Sequence, residues 1–289
     1  MQKTDHVYRI NEILSIIHGD ITANLEAKTL AEMAAYSEHY FHRLFKQVVG
    51  KPVHQYIRQV RLEAAANQLI FSPHLSVLEV AQNCGLQSLS SFSRAFKEIY
   101  GVPPAKWRSG LRYQKQRHYL SNPEIRLAYA RLEKLSLPTP EIVNLPPCEV
   151  AYIRHKGYGR SIRYTWQMLK AWAESSGRSM DIQIGLHHSN PALVPLQQCH
   201  YVACVGVDSP VIRRGKINSV TIPGGLHAAF IVEGRFGELL PRISKIWEEW
   251  LPQSGYVART TPAFAKYRKN QFLAEDDCFE LVFYLPIGF

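Results

Sequence analysis

Through the first hundred positions of the chain, apolar residues recur at spacings of three and four; further on they give way to alternating, strand-like runs. Leu30, Met33 and Ala34 pattern a short helix. Ser37 then offers an N-cap oxygen, Phe41, Leu44, Phe45 and Val48 mark one face of a helix over 38–49, and Gly50 stops it. The same order returns in Val77, Val80 and Ala81, a turn holding Gly85, the cap Ser88, the face of Phe92, Ala95, Phe96 and Ile99, and the stop Gly101. Arg43 to Pro52 and Arg94 to Pro103 share Arg, Phe, Lys, Gly and Pro at an offset of 51, whereas Ala31 and Ala81 match at 50. The second copy therefore carries one extra residue in its turn. Between the copies, 52–71 reads as an unbroken helix of about 30 Å, close to the ~34 Å of one turn of B-DNA. A single helix pair is common as core packing. A repeat with matched caps, stops and basic positions points instead to two helix-turn-helix units, about 30–49 and 77–100, set to enter successive major grooves.

Because the core uses the apolar faces, the opposite faces are left to meet DNA. The first carries His39, His42, Arg43 and Lys46, and the second Ser90, Ser91, Arg94 and Lys97. Arginine can pair bidentately with guanine or clamp a phosphate, and histidine can bond base edges. Lys46 and Lys97 read equally as solvated or phosphate-contacting, and Arg43 and Arg94 as partners of nearby carboxylates. The first unit is expected to dominate base readout and the second to grip the backbone. His39 and His42 stand three apart, but no third metal ligand is near.

LAEMAAYSEHYFHRLFK, YIRQVRLEAAANQL and VLEVAQNCGLQSLSSFSRAFKEIYGVPPAKWR together resemble the AraC/XylS-type DNA-binding domain, from about Asn11 to Arg108. The resemblance implies seven helices and asymmetric DNA sites. Gly85-Leu86 departs from the Gly-Phe usual there, and Leu should fill the same apolar hole.

Beyond Arg108 a basic, weakly amphipathic stretch reads as a partly helical linker, and LPTPEIVNLPP, with four prolines, marks a boundary. Strand-like and helix-like runs then follow in the order β-α-β-β-β-α-β, with a further strand near 264–267. The helices span Ile162 to Ser175 and the run FGELLPRISKIWEEWL. The expected fold is multi-domain: an all-α double helix-turn-helix domain (1–110), a linker (111–143) and an α+β domain with an antiparallel sheet and two long helices (144–289).

VAYIRHKGYG, the stretch from IPGG to AAFIVEGRFGELL, and WEEWLPQSGYVARTTPAFAKY resemble the GyrI-like, or SbmC-like, small-molecule-binding domain. The resemblance implies an aromatic groove between two helices and a curved sheet, suited to lipophilic or cationic ligands. Candidate lining residues are Tyr158, Trp166, Trp172, Phe230, Trp247 and Tyr267, although aromatics at helical spacing are equally core. Ala265 stands where the family commonly has Glu, and Gln197, His200 and Val202 stand where it tends to be acidic or Arg. Glu233 and Glu280 are the substitute carboxylates.

Charge sharpens this picture modestly. The chain of 289 residues has a formal net charge of +10. Residues 1–118 hold 15 Lys and Arg against 9 Asp and Glu, so their charge density is the higher, as a nucleic-acid-binding part requires. Five cysteines, with no C-x-x-C pair, argue against a disulfide framework or a zinc site. No secretion signal or membrane-length apolar run is read, so a cytoplasmic location is expected. The expected function is a sequence-specific transcription regulator, not an enzyme. It has no cofactor, binds double-stranded DNA, contacts RNA polymerase, and has a C-terminal domain that senses a small lipophilic or cationic effector. The alternatives are control by protein contact through that domain without a ligand and, less favoured, a GyrI-like hydrolase. No G-x-S-x-G, HExxH or paired-carboxylate arrangement is present to support the last.

Overall fold

The computed structural model describes residues 3–109, 118–132, 134–209, 211 and 216–289. Of the linker read at 111–143, residues 111–117 and 133 lie outside these residues; the described remainder holds a helix and the start of the first strand, and belongs to the sheet unit. The chain divides into a helical unit, Met1–Arg112 with Ile212–Asn218, and a sheet unit, Tyr113–Val211 with Ser219–Phe289.

Among the described residues, seven helices make up the helical unit: α1 (Lys3–Gly19), α2 (Ala27–Met33), α3 (Glu38–Val49), α4 (Val53–Phe71), α5 (Val77–Asn83), α6 (Leu89–Tyr100) and α7 (Pro104–Trp107). The repeat is carried down to single hydrogen bonds. Ser37 caps α3 through the Tyr40 N–H, and Ser88 caps α6 through the Ser91 N–H. Gly50 and Gly101 end the two helices in the left-handed conformation. In the turns, Tyr36 N–H donates to Ala31 O at 2.9 Å and Leu86 N–H to Ala81 O at 2.8 Å. Both turns need one left-handed residue, which is Ala35 (φ 55°) in the first and Gly85 (φ 71°) in the second. The second turn is also tight, since a Cβ on Gly85 would stand 2.9 Å from Ile21 O. Beneath the first unit, Ile10, Ile13 and Ile17 of α1 pack on Leu30, Phe41, Phe45 and Tyr56. Beneath the second, buried Trp107 packs on Phe96 and Tyr100 and donates to Ala66 O. Met33 and Ile99, read from spacing as core, are exposed at the ends of their apolar faces.

The sheet unit is built on β1 (Glu141–Leu145), β2 (Cys148–Lys156), β3 (Gln183–His187), β4 (His200–Gly206), β5 (Asn218–Ile222), β6 (Gly225–Arg235), β7 (Val257–Ala258), β8 (Ala263–Lys269) and β9 (Cys278–Gly288). The order is β1-β6-β9-β8-β3-β4-β2-β5, with β7 on β9, and every registered pair is antiparallel. Among the described residues, three α-helices accompany it: α8 (Pro123–Leu132), α9 (Ile162–Ser175) and α10 (Leu239–Lys245), the last continuing as a wider π turn over Ile246–Trp250. Sequence reading missed two strands of consequence. Proline-bracketed β1 occupies the sheet edge, where a strand tolerates proline. β3 is short and interrupted by Gly185, which weakens its strand signal. One sheet face carries the cluster of Val150, Tyr152, Ile184, Leu186, Val202, Cys204 and Phe264. Strand alternation sends Tyr201, Ala203, Gly185, Ala265 and Phe283 to the other face.

The two left-handed turn residues give a direct test. Gly85→Ala adds a Cβ both to a strained φ and to a tight approach, and should cost about 1–2 kcal/mol or more. Ala35→Gly removes strain but loosens the unfolded chain, and should be neutral or stabilising by under about 1 kcal/mol. Chemical denaturation of the two variants checks the contrast.

Candidate functional site

Two sites emerge, one in each unit. In the helical unit, α3 exposes His39, Arg43 and Lys46, with His42 half-buried, and α6 exposes Ser90, Ser91, Arg94 and Lys97. Phe41, Leu44 and Phe45 are buried behind the first face, and Phe92, Ala95 and Phe96 behind the second. Nineteen-residue α4 between them is about 28 Å long, and Arg58 on it pairs with Glu98 of α6 at 2.7 Å. The two faces differ in freedom. The Arg43 guanidinium lies 5.0 Å over the Tyr40 ring, which limits its rotamers. His42 stands 3.7 Å from Glu38, one turn earlier. On α6 the Ser90 and Ser88 hydroxyls are 3.1 Å apart, beside the N-cap.

In the sheet unit a cavity of about 220 Å³ opens between the sheet, α8, α9 and α10. Its floor is a hydrogen-bonded chain. Trp166 Nε1 donates to the Tyr201 hydroxyl at 3.1 Å, and the Tyr201 and Tyr267 hydroxyls are 3.2 Å apart. Burial raises both phenols above the ordinary tyrosine range, Tyr267 to about 12, so both stay protonated. Tyr201 reaches this position by crossing Gly185, where a Cβ would overlap its hydroxyl. His187 packs edge-on against Tyr158, Tyr201 and Phe283, with ring centroids 5.4–6.3 Å away. Burial pushes its pKa down to about 4, which keeps the imidazole neutral. The Tyr158 hydroxyl donates to Ser189 O at 3.0 Å, and this pins the wall.

Acidic and basic groups stay at the rim. Arg160 binds Glu124 at 2.6 Å and Asp277 at 2.7 Å, and its guanidinium stacks 4.3 Å over Phe236. Arg163 shares Asp277 at 2.6 Å. The guanidinium of Arg160 holds the Asp277 carboxyl below the usual carboxylate range. Glu124 and the buried Ile125 bring α8 into the wall. α8 is in turn fastened to α10, because Lys245 donates to Leu132 O and Leu135 O, the latter at 2.7 Å.

Of the eight ligand-site residues read from sequence, the cavity brings together Tyr158 and Tyr267. Trp166 supports its floor from behind. Trp172 is half-buried under Arg178, and Phe230 packs edge-on against Trp250. Half-buried Trp247 sits in the π turn, whose wider pitch departs from the helical face read from spacing. Glu233 and Glu280 are exposed register partners on β6 and β9, on the sheet face opposite Phe283. No position on that face lines the cavity. His200 is half-exposed and Val202 belongs to the core of the far face. Sequence reading missed Tyr201, His187, Gln271, Phe236 and Phe272, which line the cavity. A glycine inside a strand was the signal available for Tyr201, since it marks a close approach.

Among the described residues, no group of three or more His, Cys, Asp or Glu is arranged to hold a metal, and no helix is long and apolar enough to cross a membrane. Burial pushes the Cys84 thiol up to about 12, so it is not a nucleophile near neutrality.

Paired recognition helices in one unit and a cavity in an α+β unit define a DNA-binding regulator with a small-molecule-binding domain. The GyrI-like small molecule binding domain model matches residues 138–287, and a helix-turn-helix domain model matches 30–110. The chain belongs to the AraC-type transcription regulators and carries a GyrI-like small molecule binding domain. It is 33% identical over 99 residues to the HTH-type transcriptional activator AarP of Providencia stuartii, covering 34% of this chain and 73% of AarP. It is 34% identical over 108 residues to the probable transcriptional regulator LumQ of Photobacterium leiognathi, covering 37% of this chain and 43% of LumQ. The chain thus spans less than half of LumQ. Among solved structures, the DNA-binding domain of AdpA in complex with a target DNA matches with a TM-score of 0.34 and 26% identity, over 37% of this chain and 95% of that one.

Neutral His187 makes stability pH-dependent. Its folded pKa lies below the unfolded value of about 6.5, so the unfolded chain takes up a proton first on acidification. Stability should therefore fall between about pH 6.5 and 4, by about 3 kcal/mol. Melting temperatures of His187→Gln across that range should show a shallower decline than those of the unaltered protein.

Proposed function

We propose that α3 reads base edges through His39, His42 and Arg43, with Lys46 on phosphate, while α6 holds the DNA backbone through Ser90, Ser91, Arg94 and Lys97. The observation that carries this reading is the contrast between two structurally matched helices. One presents a restrained arginine flanked by imidazoles, and the other presents hydroxyls around an exposed arginine. A restrained guanidinium loses less entropy on forming a bidentate pair with guanine. Short hydroxyls near a helix N-terminus suit phosphate.

The sheet-unit cavity is the effector site in this reading. α8, which follows the helical unit along the chain, forms part of its wall through Ile125 and Glu124. A ligand pressing on Ile125, or altering the Glu124–Arg160 pair, acts on the segment that leads back toward the DNA-binding unit. RNA polymerase is the protein partner in this reading. A cavity of this size favours ligand control over control by protein contact alone.

Selection of binding sites from a random DNA pool tests the division between the helices. Arg43→Ala should broaden the selected sequence at one or two positions, by about 1–3 kcal/mol of discrimination each. Arg94→Ala should lower affinity for all sequences and flatten the salt dependence by about one counterion. Equal broadening by both variants would remove the distinction.

A further inference from the structure

Hydrogen-bond counting inside the cavity leaves groups over. The Trp166 N–H can only donate, so the Tyr201 oxygen accepts it. The Tyr201 and Tyr267 oxygens, 3.2 Å apart, share one of their two phenolic protons. The Gln271 amide also lies beside the Tyr267 hydroxyl, on the same cavity. One phenolic proton therefore has no acceptor among the described residues. Gln271, only 3% exposed, leaves Oε1 buried without a partner, and His187 leaves Nε2 in the same state. Buried polar groups are ordinarily paired, and three leftovers on residues that line one cavity mark a place for a polar molecule. The leftovers are one donor, one amide acceptor, and one imidazole nitrogen that accepts or donates according to tautomer.

The charges say what kind of molecule. The acidic lining residue, Glu124, is held at the rim by Arg160, and Ala265 is a fully buried small residue beside Gly185 on the cavity face. A cation inside would lose its water without meeting a carboxylate, and an anion would meet a neutral imidazole and two neutral phenols. Size narrows the class further. A cavity of about 150 Å³ accepts benzene, so 220 Å³ takes one ring with one or two substituents. Phe236 and Phe272 supply flat apolar walls.

The geometry points to an uncharged, single-ring aromatic ligand bearing an amide-like group that both donates and accepts hydrogen bonds, selected over its isosteric cation and anion. This rests on the cavity being the effector site. It replaces the cationic part of the effector class that the family resemblance implied.

Three isosteric probes separate the possibilities: 4-hydroxybenzamide (neutral), 4-hydroxybenzamidine (cation) and 4-hydroxybenzoate (anion), each titrated calorimetrically into the full chain. The amide should bind at least tenfold more tightly than either ion. Gln271→Leu should weaken it by tenfold or more. Gln271→Glu, which changes little volume and places a carboxylate in the cavity, should reverse the order in favour of the amidinium; it also serves if Gln271→Leu fails to fold. Binding of either ion by the unaltered protein as tightly as the amide, or amide affinity indifferent to both Gln271 variants, overturns the proposed ligand class and leaves the cavity as an effector site. Binding of none of the three overturns both readings.

Discussion

The sheet unit depends on one steric allowance, the missing side chain at Gly185. Tyr201 lies across that position, and any Cβ there would collide with its hydroxyl. From this placement Tyr201 accepts from Trp166 of α9 and meets Tyr267 of β8, so the helix, β4 and β8 are joined at one point. The ring also forms a wall for His187, whose burial follows from it. A larger residue at 185 would displace the tyrosine, break the chain of hydroxyls and fill the cavity from below. The polar floor and the open space above it are thus consequences of the same glycine.

The helical unit rests on repetition of local rules, and this explains why it was readable. Serine caps, left-handed glycines after each second helix, and apolar faces at three- and four-residue spacing are all short-range signals. They appear in the structure at Ser37, Ser88, Gly50 and Gly101. Once the apolar side of a helix is known, its outward side follows, so the exposure of Arg43 and Arg94 was legible too. The equivalence of Ala35 and Gly85 was less legible, because φ depends on a turn whose length differs between the copies.

The cavity was much less legible. Its residues come from β3, β4, β8, α8, α9 and the segment around Gln271, and only tertiary pairing brings them together. Tyr158 and Tyr267 were found because they lie in segments that resemble a known domain. The tryptophans were aromatic and helical, but spacing cannot distinguish a residue that faces a void from one that fills it. Trp166 fills its site, Trp172 lies half-buried under an arginine, and the π turn takes Trp247 off the expected face. Glu233 and Glu280 show a different limit. Each was chosen for its charge, and strand parity puts both on the wrong face of the sheet.

Placement of α8 bears on how such a molecule can be switched. A ligand changes an equilibrium only by as much as its contacts differ between two states. A cavity walled entirely by the sheet and its own two helices would offer little such difference, because those elements are held by long ladders and buried packing. α8 is held by less: the Lys245 bonds to its C-terminal end, a shared arginine at its N-terminal end, and buried residues such as Ile125 and Ala128. The ion pairs are exposed and contribute little each. α8 is also the wall of the cavity that lies nearest, along the chain, to the DNA-binding helices. In the proposed reading, differential contact at that wall is where binding energy is converted into a change in the rest of the protein.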